Sequence, residues 1–230
     1  QEITGQFKME AVGEKGQTIE IRCGEELREK EANRVRYEMR CNCKYQEFWT
    51  LSEAEKDVLN HYDYKAFRYV EVIGPEAAIK TESFKAVVRH YPVEEDACNL
   101  ETSSKILNEI WSICKNGVIY GSQEGFLDCP SREKGQYLGD ATVTGHSQIY
   151  VSGDLRLYKK AIKDFALSTY VSPGIMAVAP GSLMQEIADY SMQWPLILLN
   201  YYKQSGDLKF LEEMYPICEK LLEYYSKYQR

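Results

Sequence analysis

The period of the apolar residues changes once along this chain, and that change commits it to a β-rich part followed by a helical part. Over roughly the first ninety residues, apolar and polar side chains alternate in Thr18-Ile19-Glu20-Ile21-Arg22-Cys23, Val35-Arg36-Tyr37-Glu38-Met39-Arg40-Cys41 and Phe67-Arg68-Tyr69-Val70-Glu71-Val72, and Phe84-Lys85-Ala86-Val87-Val88-Arg89 is another strand candidate. Period two turns one face to a core and the other to water, the pattern of antiparallel strands. Gly13, Gly16, Gly24 and Gly74-Pro75 punctuate the runs as turns. Several short strands with turn signals predict a β-sandwich region. The acidic stretch Pro92-Val93-Glu94-Glu95-Asp96 follows neither period and reads as a linker, which divides the chain into 1–92 and 93–230.

Beyond the linker the spacing is helical. Ile106, Ile110, Ile113 and Cys114 share one face, with Leu107 and Trp111 alongside, and Trp111 reads as core. Asp154 is the expected N-cap of a helix carrying Leu155, Tyr158, Ile162, Phe165 and Ala166. A helix over Tyr190–Ser205 should end at Gly206, with Asp207 capping the next one, a tight turn between neighbouring helices. Pro195 should start that helix or kink it. The expected architecture is a multidomain β + α chain: a β-sandwich region, then stacked antiparallel helices.

Composition excludes several functions. The 230 residues carry 28 Lys+Arg against 35 Asp+Glu, a net charge of −7, which argues against a protein that grips nucleic-acid phosphates. No apolar run reaches the ~18 residues a spanning helix needs. The first residue is Gln1, and Leu221–Arg230 is still in helical rhythm where the chain stops, so a piece of a longer protein is expected. Seven cysteines at irregular spacing form no disulfide framework. Cys41-Asn42-Cys43 lies in an alternating stretch, which predicts two thiols directed into one core. Zinc would need about four ligands, and no C-x-x-C or histidine pair supplies them, so no metal is expected. Free thiols leave cytoplasmic and periplasmic residence both open.

The densest polar cluster runs Asp128-Cys129-Pro130-Ser131-Arg132-Glu133-Lys134-Gly135-Gln136-Tyr137-Leu138-Gly139-Asp140. Pro130, Gly135 and Gly139 make it a shaped loop between helices rather than a helix face. Composition alone favours a solvated surface loop whose arginine pairs with its neighbours. Glycoside hydrolysis gives the cluster a use: it needs one protonated carboxyl at the leaving oxygen and a second carboxylate elsewhere. Asp128 or Asp140 beside Glu133 could supply the charge that keeps a proton on Glu133, while Arg132 holds another carboxylate ionised. Tyr137, Trp194 and Trp111 are the aromatics available to stack on sugar C–H faces. For Trp194 a core role is equally open, since Leu196, Leu198 and Leu199 follow it. No P-loop, no G-x-G-x-x-G and no G-x-S-x-G is present. Of three histidines, His61 and His90 read as structural, and His146 as either packing or cleft-facing. Cys129, without a partner base, reads as packing.

Asp128-Cys129-Pro130-x-Arg132-Glu133 followed by Gly139-Asp140-Ala141 resembles the signature of the bacterial α-L-rhamnosidases, a glycoside hydrolase family. Ala66-Phe67-Arg68-Tyr69-Val70-Glu71-Val72-Ile73-Gly74 is similar to a strand of that family, with Ala66 in place of its usual Gly. Asp189-x-x-x-Gln193-Trp194-Pro195, with Tyr201-Tyr202 and Ser205-Gly206-Asp207, resembles one of its helices, and Glu2-Ile3-Thr4-Gly5 the start of its central β domain. The resemblance implies that 1–92 is the C-terminal part of a β-sandwich domain and 93–230 the first half of an (α/α)6 catalytic barrel. It implies hydrolysis of terminal α-L-rhamnose from glycans or glycosides with inversion, no cofactor and a carbohydrate as partner. Glu133 then matches the general acid. Asp128, Arg132 and Asp140 match residues that bind rhamnose hydroxyls, and Trp194 an aromatic lining the sugar pocket. The general base of the family matches nothing here and would lie beyond Arg230. Tyr137 stands roughly where the family often has Trp, and Leu127 where a smaller or polar residue is common. A non-catalytic carbohydrate-binding relative, a glycosidase for another deoxy-sugar, and a module whose acidic loop binds a cation remain the alternatives. A half barrel should expose apolar helix faces, so the isolated segment is expected to be poorly soluble or to pair with itself.

Overall fold

The computed structural model describes residues 1–29, 33–52, 54–94, 96–181 and 183–229. Glu95 of the expected linker and the terminal Arg230 lie outside the described residues. Contacts divide the chain into two compact units, one made of Gln1–His90 with Pro130–Glu133 and the other of Tyr91–Cys129 with Lys134–Arg230. The first change of unit thus falls at His90/Tyr91, where the hydropathy reading places it at 92/93. The four residues Pro130–Glu133 go with the β unit, an assignment that periodicity does not foreshadow.

The β unit contains ten strands among the described residues: β1 Ile3–Lys8, β2 Glu10–Ala11, β3 Thr18–Gly24, β4 Glu26–Leu27, β5 Val35–Arg36, β6 Gln46–Thr50, β7 Asp57–Val58, β8 Lys65–Phe67, β9 Tyr69–Ile73 and β10 Lys85–Val88. Two three-stranded antiparallel sheets, ordered β10-β1-β8 and β6-β3-β9, dominate. Phe7 from β1, Ile19, Ile21 and Cys23 from β3, and Phe67 from β8 share one core with Met9 and Leu51, so the two sheets pack as a sandwich. Burial pushes the Cys23 thiol up to about 12, which makes it an inert packing group.

The alternating run around Phe67–Val72 is a strand that changes sheets. Phe67 pairs with Ile3 in one sheet and Tyr69 with Gly24 in the other. Between them, the Arg68 N–H donates to the Gly24 carbonyl at 2.9 Å. The run predicted over Val35–Cys41 holds as a strand only at Val35–Arg36. Beyond it the chain reverses: Met39 N–H donates to the Cys43 carbonyl at 2.9 Å, and Cys41 and Asn42 take left-handed φ values of 59° and 57°. The two thiols therefore span a turn. Cys41 is exposed and Cys43 half-buried, which corrects the expectation that both enter a core.

An ion cluster around a half-exposed carboxylate braces this unit. The Glu47 carboxylate meets His61 Nδ1 at 2.8 Å and Lys65 Nζ at 2.7 Å, and both partners are largely buried. Burial by itself penalises the charged carboxylate, but the hydrogen bonds from His61 and Lys65 outweigh it and hold Glu47 down at about 2. An unfolded Glu titrates at about 4.3. The stabilisation is therefore fully present above that pH and drains away as pH falls towards 2. Glu47→Gln is expected to lower the thermal midpoint at pH 7 and to flatten its decline between about pH 4.5 and 2. Equal acid dependence in the two proteins would contradict this.

The helical unit contains α1 Lys105–Gly121, α2 Leu138–Ser152, α3 Arg156–Leu167, α4 Ala188–Ser191, α5 Trp194–Ser205 and α6 Leu208–Ser226. Its core joins Leu138, Tyr158, Ile162, Phe165, Trp194, Ile197 and Phe210. Asp154 is not the N-cap it was expected to be: α3 begins at Arg156 with Leu155 at the N-cap, and the Asp154 carboxylate accepts the Arg156 N–H at 2.8 Å from one position earlier. The predicted helix from Tyr190 is broken after Ser191, and Pro195 sits in the first turn of α5, where its missing N–H costs nothing. Gly206 closes α5 in the left-handed conformation at φ 66°, and the Asp207 carboxylate accepts the Phe210 N–H at 3.1 Å to cap α6. Tyr201 and Phe210 meet edge-to-face at 5.2 Å, so α5 and α6 pack across that short turn. None of these helices is long and apolar enough to cross a membrane, among the described residues.

On α1 the apolar stripe is where periodicity puts it, but Ile106, Leu107, Ile110 and Ile113 are exposed and Trp111 is only half-buried. The amphipathic pattern creates an apolar face, and no described element of this chain covers it.

Candidate active site

The polar cluster is built on a narrow stem. After α1 the chain turns back on itself, with Leu127 N–H donating to the Gly121 carbonyl at 2.9 Å. Asp128 then pairs with Gly135 in both directions. Its N–H donates to the Gly135 carbonyl at 2.9 Å, and its carboxylate Oδ1 accepts the Gly135 N–H at 2.9 Å. Lys134, at a left-handed φ of 54°, donates its N–H to the Cys129 carbonyl at 3.1 Å. The Tyr137 ring lies over Gly135: a Cβ there would come 2.8 Å from the ring. Glycine is needed where the backbone runs this close to an aromatic face.

Pro130–Glu133 form the turn at the tip. Ser131 is buried, and its carbonyl accepts a hydrogen bond from Tyr45 Oη at 2.8 Å, within the β unit. Arg132 and Glu133 are exposed as residues, and the Arg132 Nε stands 3.5 Å from Glu133 Oε1. The tip thus presents a carboxyl and a guanidinium as neighbours, on a backbone tied down at Ser131, so the arginine expected to hold another carboxylate ionised stands beside Glu133 itself.

Asp140 departs from the loop reading. It occupies the first turn of α2, where a carboxylate is favoured by the positive end of the helix dipole. Tyr137 precedes that helix at the N-cap position and is half-buried. Trp194, expected from the resemblance to line the sugar pocket, has no exposed surface, and its indole N–H donates to the Ile162 carbonyl at 3.1 Å. Its leucine-rich surroundings draw the ring into the helical core, so the packing alternative describes its position here. The elements therefore deliver Asp128, Arg132, Glu133, Tyr137 and Asp140 as accessible or half-buried groups, and Trp194 as scaffold.

Gln136 is the residue that sequence reasoning missed. It is buried, donating from Nε2 to the Ala179 carbonyl at 2.6 Å and to Asp164 at 3.2 Å, and accepting the Phe126 N–H at 3.3 Å. Gly125 makes room for it, since a Cβ there would sit 2.3 Å from Gln136 Oε1. Gln136→Leu would strand a buried carbonyl and a buried N–H, each worth about 1–3 kcal/mol. A fall of several degrees in thermal midpoint is expected, and an unchanged midpoint would contradict the bracing role.

With this geometry in place, the chain can be set beside known proteins. Residues 95–230 match the family model of the bacterial alpha-L-rhamnosidase 6 hairpin glycosidase domain, and residues 1–90 that of the bacterial alpha-L-rhamnosidase concanavalin-like domain. A curated alpha-L-rhamnosidase of Formosa agariphila is 25% identical, the match covering 73% of this chain and 19% of the relative. The alpha-L-rhamnosidase of Dictyoglumus thermophilum superposes with a TM-score of 0.85 at 25% identity, covering 99% of this chain and 26% of that one. The GH78 family rhamnosidase of Bacillus sp. GL1 gives 0.85 at 20% identity, over 98% and 23%. That of Streptomyces avermitilis, complexed with L-rhamnose, gives 0.82 at 24% identity, over 100% and 22%. The chain spans about a fifth of the curated relative's length and about a quarter of these solved chains.

Proposed function

The chain belongs to the bacterial α-L-rhamnosidase family, its longer part to the 6-hairpin glycosidase domain, and on that premise we propose that the protein carrying it hydrolyses terminal α-L-rhamnosides with inversion, Glu133 being the general acid. The observation that carries the reading is the tip of the loop: an exposed glutamate beside Arg132 at 3.5 Å, on a backbone anchored at Ser131. A carboxyl so placed can reach a glycosidic oxygen and give it a proton as the bond breaks, the role of the acid in this chemistry. Arg132 offers a rigid fork of donors to the sugar hydroxyls. Tyr137 offers an aromatic face, and Asp128 and Asp140 offer carboxylate acceptors.

On this reading Asp128 is a poor water-activating base. Its carboxylate is engaged by the Gly135 N–H within the stem, and an inverting pair stands about 6.5–9.5 Å apart to admit water between its members. On this reading the base is a residue outside the Asp128–Asp140 stretch. The test is turnover by the full-length protein of 4-nitrophenyl α-L-rhamnoside against the α-L-fucoside and β-D-glucoside. Selective release from the rhamnoside supports the reading. Preference for another sugar, or rhamnose binding without turnover, overturns it.

A further inference from the structure

Tyr45 sits in the core of the β sandwich, but its hydroxyl reaches the tip of the polar loop. In the core it stands with Phe7 and Phe67, and a phenylalanine would fill the same space. What a tyrosine adds is the hydroxyl, and a buried hydroxyl needs partners. The Ala66 backbone hydrogen-bonds it from β8. The hydroxyl in turn donates to the Ser131 carbonyl at 2.8 Å, two residues before Glu133. Burial pushes the phenol above its ordinary value, so it keeps its proton, and with it the donated bond, throughout the neutral range.

The anchor is stiff. Tyr45 N–H donates to the Tyr37 carbonyl at 3.0 Å, and the Tyr45 carbonyl accepts the Cys23 N–H of β3 at 2.9 Å. The Lys65 ammonium, held by Glu47 at 2.7 Å, stands 5.8 Å from the centroid of the Tyr45 ring, a cation over an aromatic face. A group fixed in this way by a sheet and its core positions another more precisely than a loop residue can. The receiving side is short. Two residues of chain reach at most about 7 Å, and the ring of Pro130 fixes its φ. A shift of the Ser131 peptide therefore passes on to Glu133 with little chain to absorb it.

We propose that Tyr45 is a positioning residue for the acid: its hydroxyl holds the Ser131 peptide so that the Glu133 carboxyl stands at the oxygen it protonates. The inference rests on the reading of Glu133 as general acid given above. Tyr45 is itself buried and acts through the backbone of the loop. The demand on that backbone is strict. Proton transfer needs the donor within about 2.6–3.2 Å of the oxygen, and a misplacement of about 1 Å caused from a distance costs on the order of 10²-fold.

The test is a double-mutant cycle in the full-length protein, read as kcat for phenyl α-L-rhamnoside, whose phenol leaves reluctantly enough to need the acid. Tyr45→Phe keeps the ring and removes the hydroxyl, and it is expected to lower kcat about 10- to 100-fold. In a Glu133→Gln background no proton remains to be aimed, and the same change is expected to cost less than about twofold. A tyrosine that only stabilised the fold would cost the same in both backgrounds. Equal losses in the two, or no loss in the otherwise unmodified protein, overturn the positioning role and leave Glu133 as the acid. If Tyr45→Phe does not fold, Ser131→Gly takes its place in the cycle. It frees the accepting backbone and is expected to cost about two- to fivefold, again only where Glu133 is present, and an equal loss in both backgrounds overturns the role. Undiminished turnover by Glu133→Gln alone overturns the reading of the acid, and the positioning role with it.

Discussion

Glu133→Gln in the full-length protein is expected to cost about 10²–10⁴ in turnover of a rhamnoside with a poor leaving group, the usual worth of a general acid. The amide keeps the shape of the side chain but has no proton of suitable acidity to give. The loss should shrink for an aryl rhamnoside whose leaving group departs readily as an anion, because that bond needs less help. This dependence on the leaving group is the informative readout, since a variant that merely distorts the loop would slow both substrates alike. Glu133 is exposed and forms part of a turn, so the substitution leaves the cores of both units untouched. Near-normal hydrolysis of the poor leaving group would remove Glu133 from the role.

The largest effect on stability is expected at Trp194. The ring has no exposed surface, and its N–H satisfies the Ile162 carbonyl at 3.1 Å. Trp194→Ala should destabilise by about 3–5 kcal/mol through the cavity it leaves, and it also strands the carbonyl. Trp194→Phe refills much of the volume and should cost less. If Trp194 is scaffold, the Phe variant lowers the thermal midpoint while KM for the aryl rhamnoside stays close to that of the unmodified protein. A raised KM with an undiminished midpoint would return Trp194 to the sugar pocket.

These two residues differ in how far sequence alone reads them. The loop stands out in sequence because Asp128, Arg132, Glu133 and Asp140 are polar groups packed into a short stretch with turn-forming Pro and Gly. Glu133 needs no distant partner to be noticed. Trp194 is ambiguous in sequence because an aromatic that stacks on a sugar and one that fills a core are the same residue, and burial decides between them. Gln136 is invisible for the opposite reason. A glutamine in a polar loop reads as surface, and its role depends on Ala179, 43 positions away. The tie from Tyr45 to Ser131 spans 86 positions.

In the fold, β3 and β9 were legible because one face of each pairs into a sheet core, and the caps at Gly206 and Asp207 because capping chemistry is local. The reversal at Cys41-Asn42 was not, since two left-handed residues interrupt an alternation that otherwise continues through them. β10 carries three consecutive apolar residues, yet all four of its residues are exposed, and it pairs with β1 as an edge strand. On α1, period 3.6 revealed a stripe but could not say what would cover it.

The most direct measurement of the central claim is the anomer first released. The full-length protein is mixed with an aryl α-L-rhamnoside, and the anomeric proton is followed by NMR before mutarotation equalises the two forms. The account predicts β-L-rhamnose first, which requires water delivered from the face opposite Glu133 by a base outside the Asp128–Asp140 loop. Release of α-L-rhamnose first would mean a covalent intermediate and a nucleophile about 5–5.5 Å from the acid, and would contradict it.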